Sequence, residues 1–146
     1  MISLNLMSKT FKIIVPGKPM GKQRPKATIR GKHAGVYTPK ETTSYENLVV
    51  AMYRQKYADS KPFEGMVKGT IIAYYQIPKS VSKKKKKMML DGDIRPMTKP
   101  DLDNIEKIVY DALNGIAYTD DSHIIAQRCA KFYSETPRVE VIITEL

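Results

Sequence analysis

The stretch from Lys99 to Ile124 reads KPDLDNIEKIVYDALNGIAYTDDSHI, and the interpretation of the fold starts from it. Pro100 cannot lie inside a helix, and Gly115 is suited to a helix C-terminal cap. Between them, apolar side chains recur with the spacing of one helix face, at Leu102, Ile105, Val109, Ala112 and Leu113. The pattern therefore predicts a helix over 101–115 that begins directly after the proline.

Acidic side chains precede this helix and follow it. Inside a helix Asp101 and Asp103 would point roughly 200° apart, but at the helix entry they can converge. A chain that turns back at Gly115 would bring Asp120 and Asp121 to the same level, because roughly 18 Å of helix matches roughly 20 Å of extended chain. Clustered carboxylates suit Mg²⁺ or Mn²⁺, whereas helix capping and an ordinary acidic turn are the plain alternatives.

Lys107 is the only basic residue among these acids. It lies four residues after Asp103, so the two side chains share one helix face, which Asp111 continues. Lys107 is either an ion-pair partner or a group that stabilises charge on a phosphate transition state. Asn104 offers an amide oxygen to the same region, and we interpret His123 as structural.

The charge is distributed in blocks. The 146 residues carry 25 Lys and Arg against 15 Asp and Glu, a net charge of +10. Residues 1–40 hold nine basic residues and no acid, residues 79–99 hold eight against two, and residues 101–121 hold one against six. Basic surface attracts polyanions, whereas an acidic pocket repels them unless a cation is bound. The blocks indicate a nucleic-acid-binding protein with a divalent-metal site, or a basic protein whose charges only solvate it.

Length and composition exclude several classes. A chain with 42% apolar residues can form one core, and no apolar run approaches the ~20 residues needed to span a bilayer. A single cysteine, Cys129, excludes an internal disulfide and a multi-cysteine zinc site, and we expect it to face the core. We expect a cytoplasmic protein.

The rest of the chain alternates strands, one further helix and basic loops. We predict a helix over 43–58, opened by a capping box of Thr43 and Glu46. Strands are predicted over 10–15, 66–77, 123–133 and 138–144, the last two as a hairpin. Loops are predicted over 16–39, with room for a short hairpin, and over 79–99, a flexible segment with five consecutive lysines. The prediction is a single α+β domain over 1–146, with a mixed sheet of about four strands, two main helices and basic loops.

Two blocks, PDLDNIEK and DALNGIAYTDDSHI, resemble the RusA-type Holliday junction resolvases, which are often encoded by phages and prophages. The early VPGKPMGKQRPK and the later YTPK are similar to the N-terminal part of many members. The resemblance implies a Mg²⁺-dependent homodimer, with Mn²⁺ able to substitute, that cuts four-way DNA junctions by paired symmetric nicks in recombination and repair. It implies Asp101, Asp103 and Asp121 as catalytic metal ligands, Lys107 as the essential lysine, and Asp120 as a supporting ligand.

The proposed mechanism is attack of a metal-activated water on the phosphate, giving a 5′-phosphate. DNA affinity is assigned to two basic segments, whose contacts would be largely blind to sequence. The assigned residues are Lys18, Lys22, Arg24, Lys26, Arg30, Lys32, Lys83, Lys84, Lys85, Lys86 and Lys87.

Rival interpretations rest on the same residues. A restriction-type PD…(D/E)xK site needs an acid two residues before a lysine, but Glu106 and Lys107 are adjacent, so this pattern fails. A basic nucleic-acid-binding module without activity, whose acids only cap a helix, stays open. So does a metal-dependent nuclease that acts on other branched DNA.

Overall fold

The computed structural model describes residues 9–31 and 33–146, apart from the side chains of Thr28, Arg30 and His33. Its strands are β1 (Thr10–Pro16), β2 (Lys26–Arg30), β3 (His33–Tyr37), β4 (Val67–Gln76), β5 (Ile124–Ser134) and β6 (Arg138–Glu145). Its α-helices are α1 (Lys40–Tyr57), α2 (Lys83–Leu90) and α3 (Leu102–Leu113). A short 3₁₀ helix covers Asp121–His123.

Four strands form a mixed sheet in the order β1-β6-β4-β5. β4 and β5 are parallel, while β6 is antiparallel to both β1 and β4. β2 and β3 form a separate antiparallel hairpin within the basic N-terminal loop. The predicted α+β class with a mixed sheet of about four strands is confirmed, with a third helix in addition.

The core lies between one face of the sheet and the helices α1 and α3. Alternate residues of β1, β4 and β6 are buried on this face, as expected for strands with one covered side. The buried side chains of α3 include Ile105, Val109 and Leu113, the periodic positions that predicted this helix. Phe11 of β1 stacks on Phe63, with ring centroids 4.2 Å apart, and closes one end of the core.

The predicted hairpin of the last two strands is wrong. β5 pairs only with β4 among the strands of the sheet, and β6 is inserted between β1 and β4. The short turn after Ser134 therefore crosses the end of β4, where the Ile77 amide donates to the Ser134 carbonyl at 3.2 Å. Adjacency along the chain favoured a hairpin, but the parallel crossover through α2 and α3 fixes β5 at the sheet edge.

The predicted loop over 79–99, described as flexible and lysine-rich, contains α2. Ser82 caps this helix by accepting the Lys85 amide at 3.1 Å, and Met89 is buried against the sheet. After the helix, the Arg95 guanidinium lies 4.0 Å from the centre of the Phe132 ring. Lysine is a good helix former. Repulsion between exposed lysines destabilises the helix by only a few tenths of a kcal/mol per pair, so the Ser82 cap and the burial of Met89 are enough to stabilise α2.

The first turn of α1 also differs from its prediction. The N-cap position is Pro39, which supplies no side-chain cap, so the capping box of Thr43 and Glu46 does not form. The helix begins at Lys40, and Glu46 binds Lys22 instead. No helix within the described residues is long and apolar enough to cross a membrane.

Candidate active site

Asp101 stands at the entry of α3 with its carboxylate exposed. It occupies the N-cap position, but its side chain makes no capping hydrogen bond. Its carbonyl instead accepts the amides of Asn104 and Ile105, both at 3.1 Å. The Tyr75 hydroxyl donates to the Pro100 carbonyl at 2.8 Å and fixes the entry to the helix. The alternative in which Asp101 serves as a side-chain cap is therefore not observed.

An acidic hollow of about 310 Å³ lies along the exposed side of α3. It contains four carboxylates and one amine. Its lining residues are Asp103, Glu106, Lys107, Tyr110, Asp111, Asp121, Ile124 and Gln127. Within the part of the chain that the structure describes, neither Asp103 nor Asp121 makes an ion pair. The structure thus brings three of the predicted residues, Asp103, Lys107 and Asp121, to one hollow and leaves the two carboxylates uncompensated.

The segment between α3 and β5 places Asp121 in the acidic hollow. Gly115, with φ +77°, turns the chain back at the end of the helix, a conformation that favours glycine. The Asn114 side-chain oxygen then accepts the Asp121 amide at 2.9 Å. Tyr118 is fully buried and donates to the Tyr110 carbonyl, which ties this segment to α3. Asp121 is consequently held by the helix that carries Asp103.

The four aspartates are not gathered at one end of α3. Asp101 lines a second hollow of about 450 Å³, between residues 18–23 and residues 99–104. Asp121 is bound at Asn114, beyond the opposite end of the helix. Among the described residues, no three or more His, Cys, Asp or Glu side chains are grouped so that they could hold a metal ion. Asp103 and Asp121 nevertheless offer the acidic hollow exposed carboxylates, whose oxygens are the ligands that Mg²⁺ prefers.

Asp120 is engaged locally. Its side-chain oxygen accepts the Ser122 hydroxyl and, at 2.9 Å, the Ser122 amide, so it caps the short 3₁₀ helix. These hydrogen bonds from Ser122 lower the pKa of Asp120. The neighbouring His123 has its Nδ1 3.1 Å from the Thr119 hydroxyl. Asp120 therefore has the geometry of an acidic turn.

Lys107 belongs to a network of charges. Its Nζ lies 3.7 Å from Oδ2 of Asp111, and the same oxygen lies 3.3 Å from Nζ of Lys22. Lys22 also binds Oε2 of Glu46 at 2.8 Å. Burial acts to lower the pKa of Lys22, but the hydrogen bonds and charges of Glu46 and Asp111 outweigh it, and the pKa is raised.

The residues assigned to DNA contact have different environments. Lys18, Arg24 and Lys26 are exposed, whereas Lys22 is held by two carboxylates. In α2, Lys83, Lys84, Lys85 and Lys87 are exposed, and Lys86 lies 2.5 Å from Oε1 of Glu135. The Lys86 hydrogen bond lowers the pKa of Glu135. The Arg30 side chain and Lys32 lie outside the described part of the structure.

Several residues of the site were missed from the sequence. Glu106 and Tyr110 line the acidic hollow, and their spacing from Asp103 along the helix could have indicated it. Asn114 directly precedes the turn glycine, but nothing in the sequence connects its side chain to Asp121. Glu46 lies more than 50 residues before the acidic stretch and matched a capping box instead. Cys129 is half-buried against the core, as expected, and burial raises its pKa to about 12.

The described chain thus combines an acidic hollow with exposed basic residues on an α+β scaffold. The model of one family, Endodeoxyribonuclease RusA, matches residues 16–144. The chain therefore belongs to the RusA endodeoxyribonuclease family, and the resemblance carried by the two blocks is confirmed. It is also similar to Uncharacterized protein YqaN of Bacillus subtilis (strain 168), with 40% identity over 138 residues, which covers 93% of this chain and 96% of YqaN.

Proposed function

We propose that this protein is a structure-selective endodeoxyribonuclease that resolves four-way DNA junctions by paired symmetric nicks during recombination and repair. The observation that carries the proposal is the acidic hollow, which is lined by Asp103 and Lys107 of α3 and by Asp121 of the following 3₁₀ helix, all within the part of the chain that matches the family. Its two uncompensated carboxylates are unfavourable for binding a polyanion unless a cation accompanies it. This favours catalysis over passive DNA binding.

We propose Mg²⁺ as the cofactor, replaceable by Mn²⁺, with Asp103 and Asp121 as ligands and Asp101 and Asp120 as further candidates. Such an ion, when bound, lowers the pKa of a water molecule and polarises the phosphate. The chain itself orients the reaction, since Asn114 holds the backbone of Asp121 and α3 presents Asp103. Lys107, largely exposed at the hollow, is positioned to offset charge that develops on the phosphate.

Exposed lysines and arginines of two basic segments are the proposed DNA contacts. They belong to the N-terminal loop, with Lys18, Arg24 and Lys26, and to α2. Contacts of this kind bind phosphates irrespective of sequence, which suits an enzyme that recognises a branch. Acting on such DNA, of host or phage origin, would place the protein in the cytoplasm of a bacterial or phage-infected cell.

A homodimer is the assembly that the proposed reaction requires. A four-way junction has near-two-fold symmetry, and each chain carries one acidic hollow, so paired nicks need two chains related by a two-fold axis. Light scattering during size exclusion is expected to give twice the chain mass for the free protein, and the mass of two chains plus one junction for the complex. A single chain both in the free protein and on the junction would contradict paired cleavage by a dimer.

The test is cleavage of a labelled four-way junction, with a linear duplex of the same sequence as the control substrate. We expect paired nicks with 5′-phosphate ends in Mg²⁺ or Mn²⁺ and none in EDTA. Asp103→Asn and Lys107→Ala should bind the junction but cut it at least about 100-fold more slowly, as for loss of a transition-state interaction.

Three results would decide against parts of the proposal. Junction binding without cleavage in either metal would identify a DNA-binding module. Equal cutting of the duplex and the junction would identify a nuclease without structure selectivity. Full activity of Asp103→Asn would remove the acidic hollow from the reaction even if cleavage occurs.

A further inference from the structure

Lys22 differs from Lys18 and Lys26, the other lysines that the structure describes in the basic N-terminal loop, because carboxylates hold it. Its Nζ lies 2.8 Å from Oε2 of Glu46 and 3.3 Å from Oδ2 of Asp111, so it joins α1 to α3. Its side chain is 20% exposed, against 63% for Lys107. An ammonium group that is already paired with two carboxylates is largely neutralised and attracts a phosphate only weakly. Its position therefore calls for a different role from that of Lys18 or Lys26.

The loop around Lys22 is seated against the start of α3. The Lys22 amide donates to the Asn104 carbonyl at 2.9 Å. A Cβ atom on Gly21 would lie 2.7 Å from Cβ of Pro100 and 3.0 Å from Cβ of Asn104, so this close approach requires glycine. The Gln23 amide donates to the buried Thr42 hydroxyl at 3.2 Å. Backbone contacts on both sides thus fix the position from which the Lys22 side chain reaches Asp111.

Asp111 links Lys22 to Lys107. One oxygen of Asp111, Oδ2, contacts both ammonium groups, at 3.3 Å for Lys22 and 3.7 Å for Lys107. Lys107 is four residues earlier on α3, where an aspartate and a lysine attract each other. Lys22 is the nearer of the two cations to Asp111, while Lys107 keeps a longer contact and stays exposed at the acidic hollow. Without Lys22, Lys107 would be the nearest remaining cation for Asp111.

We propose that Lys22 is a positioning residue of the active site, which engages Asp111 and thereby leaves the Lys107 amine available to the phosphate. This inference rests on the proposed function. Removal of Lys22 would let Asp111 bind Lys107 closely and withdraw its amine from the hollow. Cleavage would slow while DNA affinity stayed the same, because the Lys22 amine is paired with Glu46 and Asp111 and would not contact a phosphate.

The test compares Lys22→Met with Lys22→Arg and with two matched lysine variants. For each we measure the single-turnover cleavage rate at saturating junction, the Kd, and the slope of log Kd against log salt. Lys18→Met serves as the phosphate-contact comparison. Lys12→Met serves as the remote control, since Lys12 is exposed on β1 between positions buried on the helix side of the sheet. Thermal unfolding checks the fold, and Lys22→Gln replaces Lys22→Met if the latter does not fold.

For Lys22→Met we expect cleavage about 10- to 100-fold slower, as for a missing supporting residue, with Kd and salt slope unchanged. Lys22→Arg should recover most of the rate. In an Asp111→Asn background, Lys22→Met should have no further effect, because its influence passes through Asp111.

The opposite pattern would overturn the inference. If Lys22→Met weakens binding and reduces the salt slope by about 0.9 at an unchanged cleavage rate, Lys22 is a phosphate contact. Effects of Lys22→Met and Asp111→Asn that add independently would also overturn it. If the wild-type protein binds junctions but never cuts them, the proposed function fails. The salt slopes still show in that case whether Lys22 contacts phosphate.

Discussion

At the scale of single residues, the site depends on polar groups that hold the backbone of a charged neighbour. Asn114 does this for Asp121, and Tyr75 does it for the entry to α3 at Pro100. A carboxylate that must stay exposed cannot be fixed by burial, so its main chain has to be fixed instead. The supporting residues of this site therefore lie outside the acidic hollow, beyond the charged residues that a motif identifies.

Replacing Asn114 by alanine should slow junction cleavage by about 10- to 100-fold, because the absence of a supporting residue lets a site residue move. The 2.9 Å hydrogen bond to the Asp121 amide would be removed, while both carboxylates of the hollow remain. Single-turnover rates at saturating junction measure the effect. Asn47→Ala, on the exposed side of α1, is the matched control. An unchanged rate for Asn114→Ala would show that Asp121 does not depend on this anchor.

Gly69→Ala should destabilise the protein by about 1–3 kcal/mol, as for overpacking of a core. A Cβ at position 69 in β4 would lie 2.9 Å from two ring carbons of Tyr110. Urea unfolding measures the decrease in stability, and Gly65→Ala is the matched control, because the nearest atom to a Cβ there is Oε2 of Glu145 at 3.7 Å. Because Tyr110 lines the acidic hollow, its displacement should also reduce cleavage. A stability equal to that of the wild type would mean that Tyr110 moves without cost.

At the scale of elements, α2 is a helix whose exposed residues are four lysines together with Met88 and Leu90. Ser82 caps it and Met89 is buried against the sheet, so its position is determined while most of its charges face solvent. Lys83 to Lys86 lie near the N-terminus of α2, where positive charge is unfavourable for the helix dipole, and bound phosphates would relieve this. The element has the character of a phosphate-contacting surface that is held in place by a single buried side chain.

Replacing Lys83 to Lys87 with glutamine should lower the slope of log Kd against log salt by about 0.9 for each phosphate that α2 no longer binds. Junction binding at several salt concentrations measures the slope. Lys86→Gln alone should change the slope less than Lys84→Gln, because Lys86 is paired with Glu135. Circular dichroism should show α2 retained, since glutamine is also a good helix former. An unchanged slope for the fivefold variant would mean that α2 does not bind phosphates.

At the scale of the whole molecule, several groups bind protons more tightly in the folded state than in the unfolded chain. Burial raises the pKa of Cys129 from 9.0 to about 12 and that of Tyr75 from 10.0 to about 12. The pKa of Lys22 is also raised. Burial acts to lower this pKa, but the two carboxylate partners of Lys22 outweigh the effect of burial. Their contribution to stability is fully present below the ordinary pKa values and is lost as the pH rises towards the folded values.

The free energy of unfolding should therefore stay level from pH 7 to about pH 9 and fall steadily above it. Urea unfolding at pH 7, 9, 10 and 11 tests this. Cys129→Ala should remove the part of the decline that begins near the ordinary thiol pKa of 9.0. Stability that does not change up to pH 11 would show that these groups titrate at their ordinary values in the folded protein.

The sequence by itself determined the α+β class, the helix α3 and the identity of the charged residues. These follow from apolar periodicity, from Pro100 and Gly115, and from the two family blocks, all of which are local in the chain. Local patterns failed where an alternative partner was distant. The turn after β5 predicted a hairpin, yet β5 pairs with β4, and Glu46 matched a capping box, yet it binds Lys22.

The tertiary structure alone decided which charges meet. It places Asp103, Lys107 and Asp121 at one hollow and Asp101 at another, and it inserts Lys22 between α1 and α3. These contacts join residues that are up to about 90 positions apart in the chain, so the local spacing of residues in the sequence cannot predict them. The physical reason is that secondary structure depends mainly on residues that are close in the chain, whereas an electrostatic site depends on the distances between charges in space. Only the packing of the helices and strands sets those distances.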